Sequence, residues 1–363
     1  MKAAVLTEVG QKFQILDVEI ANPIGHEVLV DVKASGLCHS DLHVADHGYG
    51  YSFPMVLGHE ATGVVAAVGP DVEDFKVGDH VVGSLIAPCG NCRKCRAGQG
   101  YRCTRPTALL RGADEEPRLS IDGKPVNQMF GIGGFAEQVL AHENQLAKIP
   151  DAIPFPQAAV LGCGVLTGAG TVINTARVRP GETVAVVGLG GVGLNAINGA
   201  RLAGASQIIG VDIQPAKEDV AKKFGATHFV NSGDADAVDQ VKALTGGGAD
   251  HVLEVVGAPV TQRLAVQLAG QGGGVYFIGM SSPDNELPVN TMAEFVLGQK
   301  SLVGVYMGSS EIKHDIPMYA QYYQDGRFNL DDLISQEVAL SDINDVYEEL
   351  KAGKLARSII TSF

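Results

Sequence analysis

The sequence predicts an α/β chain in which a doubly wound parallel sheet is inserted into a mainly-β domain. Three observations carry that expectation. Thr183-Val-Ala-Val-Val-Gly-Leu-Gly-Gly-Val-Gly193 reads as a buried strand running into a G-x-G-x-x-G turn. From there, short apolar runs at 183–187, 207–211, 227–230, 251–255 and 274–278 alternate with helix-patterned segments, and a sixth run at 302–306 completes the set. The first 150 residues instead carry runs such as 28–32, 63–68 and 80–82, separated by Gly, Pro and Asp, the pattern of strands joined by turns.

The glycine turn is the most specific of these. Residues 183–187 are β-branched or small and apolar, as a strand buried on both faces requires. Gly188 allows a tight turn, Gly190 lets a pyrophosphate approach the backbone, and Gly193 lets the following helix, expected over 194–203, pack closely on the strand. Gly191 and Val192 complete the helix N-terminus that faces the phosphates. The next apolar run ends in Asp212, 19 residues after Gly193, where the ribose of a dinucleotide would lie. An ordinary Gly-rich turn does not account for that acid.

At 363 residues the chain has room for two or three domains. Its net charge of −14 disfavours nucleic acid and anionic membranes as partners. The opening Met1-Lys-Ala-Ala-Val-Leu-Thr-Glu8 turns polar too soon for a signal peptide, and no apolar run reaches bilayer length, so a cytoplasmic location is expected. Residues 104–130 form a polar excursion rich in Arg, Glu, Pro and Gly, expected to cover a site or a neighbouring subunit. Residues 154–174 look helical with a break at Gly162-Cys163-Gly164, and the final stretch carries a helix near 343–352 and a strand at 358–362.

Six cysteines occur, and four of them, Cys89, Cys92, Cys95 and Cys103, fall in one Gly-rich loop. Four thiolates so spaced can wrap one tetrahedral zinc, with Arg93, Lys94, Arg96 and Arg102 offsetting their charge. An iron–sulfur cluster is the competing occupant, and a disulfide pairing is disfavoured without a sign of secretion. Cys38 and Cys163 remain. Taken alone, Cys163 reads equally as a small buried thiol and His59 as an ordinary core histidine. A Cys38–His59–Cys163 set would instead give three ligands and an open fourth position, the catalytic type of zinc site.

Gly36-Leu-Cys-His-Ser-Asp41, Gly58-His-Glu60, the four-cysteine loop, Gly162-Cys-Gly164, the glycine turn and Arg357-Ser-Ile-Ile-Thr-Ser-Phe363 together resemble a zinc-dependent medium-chain alcohol dehydrogenase. The likeness runs along the whole chain in order, and Gly123-Lys-Pro125 with Gly134-Phe135 is similar to the long-loop branch of animal and plant enzymes. It implies a GroES-like catalytic domain over 1–164 and 306–363, around a Rossmann domain over 165–305. It also implies two zincs per chain, one catalytic and one structural, NAD as cofactor, and a homodimer or homotetramer.

Roles follow from the same resemblance. Ser40 accepts the alcohol proton and passes it to His43. Asp41 orients His59, and Glu60 approaches the zinc or, alternatively, pairs with Arg357. Asp212 accepts the ribose hydroxyls and repels a 2′-phosphate, favouring NAD over NADP. Thr167, Lys217, Arg357 and His39 are expected at the cofactor; His39 stands where the animal branch often has arginine. Leu85, Met129, Phe130, Ile278 and Met280 are expected to line an apolar pocket. The expected substrate is an aliphatic, allylic or benzylic primary alcohol or its aldehyde. The alternatives are an S-hydroxymethylglutathione or polyol dehydrogenase, and a non-catalytic NAD- and zinc-binding protein. Thr107 stands where the glutathione-dependent branch places arginine, with Arg105 and Arg111 nearby as possible substitutes.

Overall fold

The computed structural model describes all residues except Ala113, Pro283 and 353–356. The chain divides into two compact units, Met1–Cys163 with Glu311–Gly326 and Leu333–Phe363, and Gly164–Ser310 with Arg327–Asp332.

The first unit is built on a sheet whose order is Leu146–Lys148, His80–Gly83, Glu60–Val68, Glu27–Gly36, Ser358–Ser362 and Gln336–Ala339. Glu27–Gly36 is the hub of this sheet. It pairs antiparallel with Glu60–Val68, with Gln138–His142 and with Ser358–Ser362. At its end, Gly36 lies opposite Glu60 on one side and Ile359 on the other. Three sequence-distant stretches, leading to Cys38, His59-Glu60 and Arg357, therefore meet at one strand terminus. A second sheet, ordered Asn127–Gln128, Met55–Val56, Lys2–Leu6 and Gln14–Asp17, encloses a core that includes Val5, Leu6, Val56 and Phe135.

The polar excursion at 104–130 has structure of its own. It contains a 3-10 turn, Pro106–Leu109, and the strands Leu119–Ile121 and Lys124–Pro125, which join Glu19–Ile20 in a small sheet. Its anchor is ionic. Buried Glu27 accepts from Arg111 Nη2 at 2.6 Å and from Arg118 Nε at 2.7 Å. Burial pushes the Glu27 pKa up, but the Arg111 and Arg118 contacts overcome it and hold the carboxyl below its ordinary value. Anchoring by charge, without hydrophobic alternation, leaves no periodic signature.

The second unit is a six-stranded parallel sheet of order His228–Asn231, Gln207–Asp212, Thr183–Val187, Ala249–Glu254, Ala269–Phe277 and Ser301–Gly304. The strand order reverses beside Thr183–Val187, the switch point at which such sheets bind ligands beyond their carboxyl ends. The fifth strand starts at Ala269, five residues earlier than the apolar run at 274–278, because Gly270, Gly272 and Gly273 hide its beginning. Gly188 turns the chain at φ +96°, and a Cβ on Gly193 would fall 1.9 Å from Gly188 O, so helix Gly191–Ala203 comes this close only with glycine there. Among the described residues, no single helix is long and apolar enough to cross a membrane.

Candidate active site

Cys38 precedes helix His39–His47, and the helix turns its Asp41 back toward the strand terminus. Asp41 is wholly buried and accepts from Cys38 N at 2.9 Å and Gly58 N at 3.1 Å. Its Oδ1 also lies 3.1 Å from His59 Nδ1. This carboxylate fixes the imidazole so that Nδ1 carries the proton and Nε2 is left with a free lone pair. His59 Nε2 is buried without a hydrogen-bond partner, an arrangement that is costly unless something occupies the lone pair.

Cys38, Cys163 and Glu60 supply the surroundings. One ligand atom from each, with one from His59, lie within 4.8 Å of one another, and all four residues are buried. The Cys163 thiol hydrogen-bonds Cys38 and, with it, holds the Cys38 pKa well below the usual thiol range; the same contact and burial push Cys163 up. Two sulfurs and an unpartnered imidazole nitrogen are the donor set of a soft or borderline cation, so a zinc ion fits. Cys163 is delivered by a chain break between the 3-10 turn Val160–Gly162 and helix Gly164–Gly170. A Cβ on Gly162 would meet Gly83 O at 2.1 Å, so glycine is needed to seat it.

Glu60 and Arg357 resolve into a pair. Arg357 Nη2 donates to Glu60 Oε1 at 2.7 Å, with both side chains buried. Glu60 Oε2 and Arg357 Nε have no partner. Burial pushes the Glu60 pKa up to about 7, against the opposing pull of Arg357. Gly36 makes room for this carboxylate, since a Cβ there would lie 2.3 Å from Oε2. The guanidinium of Arg357, expected at the cofactor, is paired with Glu60 and buried at the cluster.

Ser40 Oγ lies 3.6 Å from Cys38 Sγ, half-buried. His43, one turn on, is half-buried, with its ring centroid 6.3 Å from those of His47 and Tyr49. Burial, then His47, lowers its pKa, favouring the neutral ring that can accept a proton. His39 is exposed at the helix start. Phe130 brings its ring 5.5 Å from that of His59. Leu85 is buried, and Ile278 and Met280 follow the fifth strand of the second unit, half-buried and exposed respectively. Met129 has no exposed surface and packs in the core with Val56 and Phe135, and Phe130, half-buried, packs against the same core.

The four-cysteine loop converges in the same manner. Cys92 Sγ lies 3.5 Å from Cys95 Sγ and 4.0 Å from Cys103 Sγ, with all four sulfurs within 4.8 Å of one another. Backbone N–H groups of Cys89, Cys92, Cys95 and Arg105 point at sulfurs from 3.3 to 3.5 Å. The N–H of Cys95 leads in holding the Cys92 thiol down to about 5, while burial pushes Cys95 up to about 12. Sulfurs preorganised by amide donors suit a thiolate-bound metal. Arg105 joins them, its Nη2 3.9 Å from Cys89 Sγ.

In the second unit Asp212 Oδ2 accepts from Leu189 N at 2.8 Å, Oδ1 accepts from Gln214 N at 3.0 Å, and Lys217 Nζ lies 3.1 Å from Oδ2. Lys217 is thus first an ion-pair partner of Asp212. A Cβ on Gly190 would meet nothing within 4 Å, so the helix N-terminus opens onto free space that can admit a phosphate. Thr167 is half-buried, and its hydroxyl donates to Met307 Sδ at 3.4 Å. Glu254 escapes a reading by motif. It is wholly buried, and its Oε1 accepts from Val256 N at 3.0 Å, Gly257 N at 2.8 Å and Thr261 Oγ1 at 2.8 Å, which fixes the turn after the fourth strand.

A parallel sheet with a dinucleotide turn, and a buried cysteine–histidine cluster fit for a metal, define the class as a metal-containing dehydrogenase. The family described as an alcohol dehydrogenase GroES-like domain matches residues 25–151, and that described as a zinc-binding dehydrogenase matches 191–321. An NDMA-dependent alcohol dehydrogenase of Amycolatopsis methanolica is 37% identical, over 99% of this chain and 98% of its own. The solved benzyl alcohol dehydrogenase of Acinetobacter calcoaceticus is 35% identical with a TM-score of 0.94, over 100% of this chain and 99% of that one. An alcohol dehydrogenase zinc-binding domain protein from Burkholderia ambifaria is 38% identical with a TM-score of 0.95, over 100% and 98%. The chain belongs to the zinc-binding alcohol dehydrogenases of the medium-chain family, with a GroES-like domain and a Rossmann domain, and it is an oxidoreductase.

Proposed function

We propose that the protein transfers a hydride reversibly between a primary alcohol and NAD, with one zinc held by Cys38, His59 and Cys163 and a second by Cys89, Cys92, Cys95 and Cys103. The observation that carries this reading is the unpartnered His59 Nε2 among two buried thiols, braced from behind by Asp41. When bound, zinc supplies Lewis acidity that acidifies a substrate hydroxyl, and the nicotinamide supplies the hydride acceptor.

The chain's own groups do the rest. Asp41 holds the tautomer of His59. Ser40, beside Cys38, takes the substrate proton, and His43 carries it outward as a neutral acceptor. The Glu60–Arg357 pair keeps a carboxylate oxygen at the cluster's edge. Asp212 accepts the ribose hydroxyls, while Gly188 to Gly193 admit the pyrophosphate. A cytoplasmic setting would keep the six free thiols reduced. Strand Ser301–Gly304 forms an edge of its sheet, and exposed Met292, Val296 and Leu297 precede it, which supports a homodimer or homotetramer.

The S-hydroxymethylglutathione alternative loses support. Thr107 carries no charge, and Arg111 is paired with buried Glu27, so it is not free for a substrate carboxylate. Initial rates with NAD across an alcohol series test the assignment. Expected is kcat/KM rising from ethanol to hexanol, by up to about fourfold per buried methylene at ~0.8 kcal/mol each, with high turnover of benzyl alcohol and poor turnover of S-hydroxymethylglutathione. A falling series, or efficient use of the glutathione adduct, would refute it.

A further inference from the structure

Strand Ala249–Glu254 runs parallel to Thr183–Val187, with Glu254 in register with Val187. The turns that follow the two strands therefore stand side by side where the strand order reverses. A Cβ on Gly188 would lie 2.5 Å from Val256 Cγ2, and one on Gly193 would lie 3.4 Å from Val255 Cγ2. Val255 N donates to Val187 O at 3.0 Å. On the far side, a Cβ on Gly279 would lie 2.1 Å from Gly257 N, and one on Gly257, at φ +88°, 2.3 Å from Met280 O. Residues 255–257 are thus wedged between the glycine turn and residues 278–280, and a displacement of them is felt at both. Glu254 holds this wedge. Its carboxylate is wholly buried, where such a group needs strong partners. Oε1 accepts from Val256 N at 3.0 Å and Gly257 N at 2.8 Å, with Thr261 Oγ1 also at 2.8 Å. Oε2 has no partner among the described residues. The backbone carbonyl of Glu254 accepts from Ile278 N at 2.8 Å and Gly279 N at 3.1 Å. Val256 itself is exposed, so the turn keeps an open face while the carboxylate fixes it from inside.

We propose that Glu254 is a positioning residue for the dinucleotide: through Oε1 it sets the 255–257 turn against the glycine turn, and so preorganises the crevice that receives the cofactor. The inference rests on the reading of Gly188–Gly193 as a dinucleotide turn. A buried anionic acceptor suits the task, because charge-assisted bonds to backbone N–H groups are stronger than neutral ones. Every side-chain hydrogen bond of Glu254 goes to this turn or to Thr261 in the helix that leaves it, Pro259–Leu268. Removing the acceptor leaves the Val256 and Gly257 N–H groups unsatisfied, and the turn must move to find new partners. Binding must then restore the order that the free protein has lost.

Calorimetric titration with NAD, beside Tm and steady-state rates, tests it. Glu254→Met, close in shape but without an acceptor, raises Kd and KM for NAD about tenfold, the effect of one unsatisfied donor, against a change in kcat of less than about twofold. Glu254→Gln keeps a carbonyl oxygen for the turn and holds Kd within about threefold of the wild type, while its amide nitrogen takes the unpartnered place of Oε2 and lowers Tm. A merely structural glutamate gives the opposite pattern, with Tm lowered in both variants and Kd for NAD unchanged in both. That pattern, or a Glu254→Gln as weak for NAD as Glu254→Met, overturns the proposal. Where Glu254→Met does not fold, Thr261→Val carries the test: about a threefold rise in Kd is expected for one lost hydrogen bond, and an unchanged Kd overturns the proposal. A wild type that binds neither NAD nor NADP sinks the dinucleotide reading, and the proposal with it.

Discussion

Cys163→Ala removes one zinc per chain and lowers alcohol oxidation by at least about a thousandfold, while the fold survives. Cys163 sits at a break between two helical turns, so a methyl in place of a thiol disturbs no backbone hydrogen bond of a regular element. Its loss leaves Cys38 and His59 as two ligands, too few to keep an open tetrahedral site filled. Cys95→Ala acts on the other cluster. Three sulfurs remain in a loop whose only regular elements are a short helix, Arg93–Arg96, and a 3-10 turn, Gly100–Arg102. Metal binding there contributes directly to folding, so that variant loses its zinc together with thermal stability and solubility. Elemental analysis with thermal unfolding of both variants distinguishes the roles. A wild-type chain that retains a single zinc after purification in zinc would contradict the scheme.

Asp212→Asn shifts the preference for NAD over NADP by one to two orders of magnitude, roughly 1–3 kcal/mol for losing a charge-assisted contact. Asparagine is the informative replacement because Asp212 also has structural duties. It accepts from the N–H groups of Leu189 and Gln214, and an amide oxygen can still satisfy one of them. Asp212→Gly would strand both at the dinucleotide turn and mix a folding defect with the specificity change. Removing the charge also releases Lys217 from its ion pair, leaving a cation able to meet a 2′-phosphate. The ratio of kcat/KM values for the two cofactors is the measurement, and an unchanged ratio would place discrimination elsewhere.

What could be read from the chain depended on how restrictive the chemistry is. Cys38, His59 and Cys163 stand out because few residue types ligate soft metals, and the structure gathers all three at the end of one strand. The glycine turn is equally legible, since Gly193 permits no side chain at all. Arg357 was harder: its type suits a phosphate or a carboxylate, and only the pairing of Gly36 with Glu60 and Ile359 shows that Glu60 is its partner. Met129 and Phe130 are neighbours of similar hydropathy. Met129 is wholly buried and Phe130 half-buried, with a positive φ at Phe130, a non-glycine residue, that no propensity encodes. Glu254 belongs to no motif, and its role arises from partners brought near by folding.

Alcohol oxidation is expected to depend on metal held by Cys38, His59 and Cys163. Its most direct test is turnover of benzyl alcohol with NAD, measured as a chelator removes metal and zinc is restored, with zinc per chain determined at each point and Cys163→Ala run in parallel. Turnover is expected to fall and return with occupancy of this cluster, and zinc to restore nothing to Cys163→Ala. Full turnover from chains whose cluster is empty, or from Cys163→Ala, would contradict it.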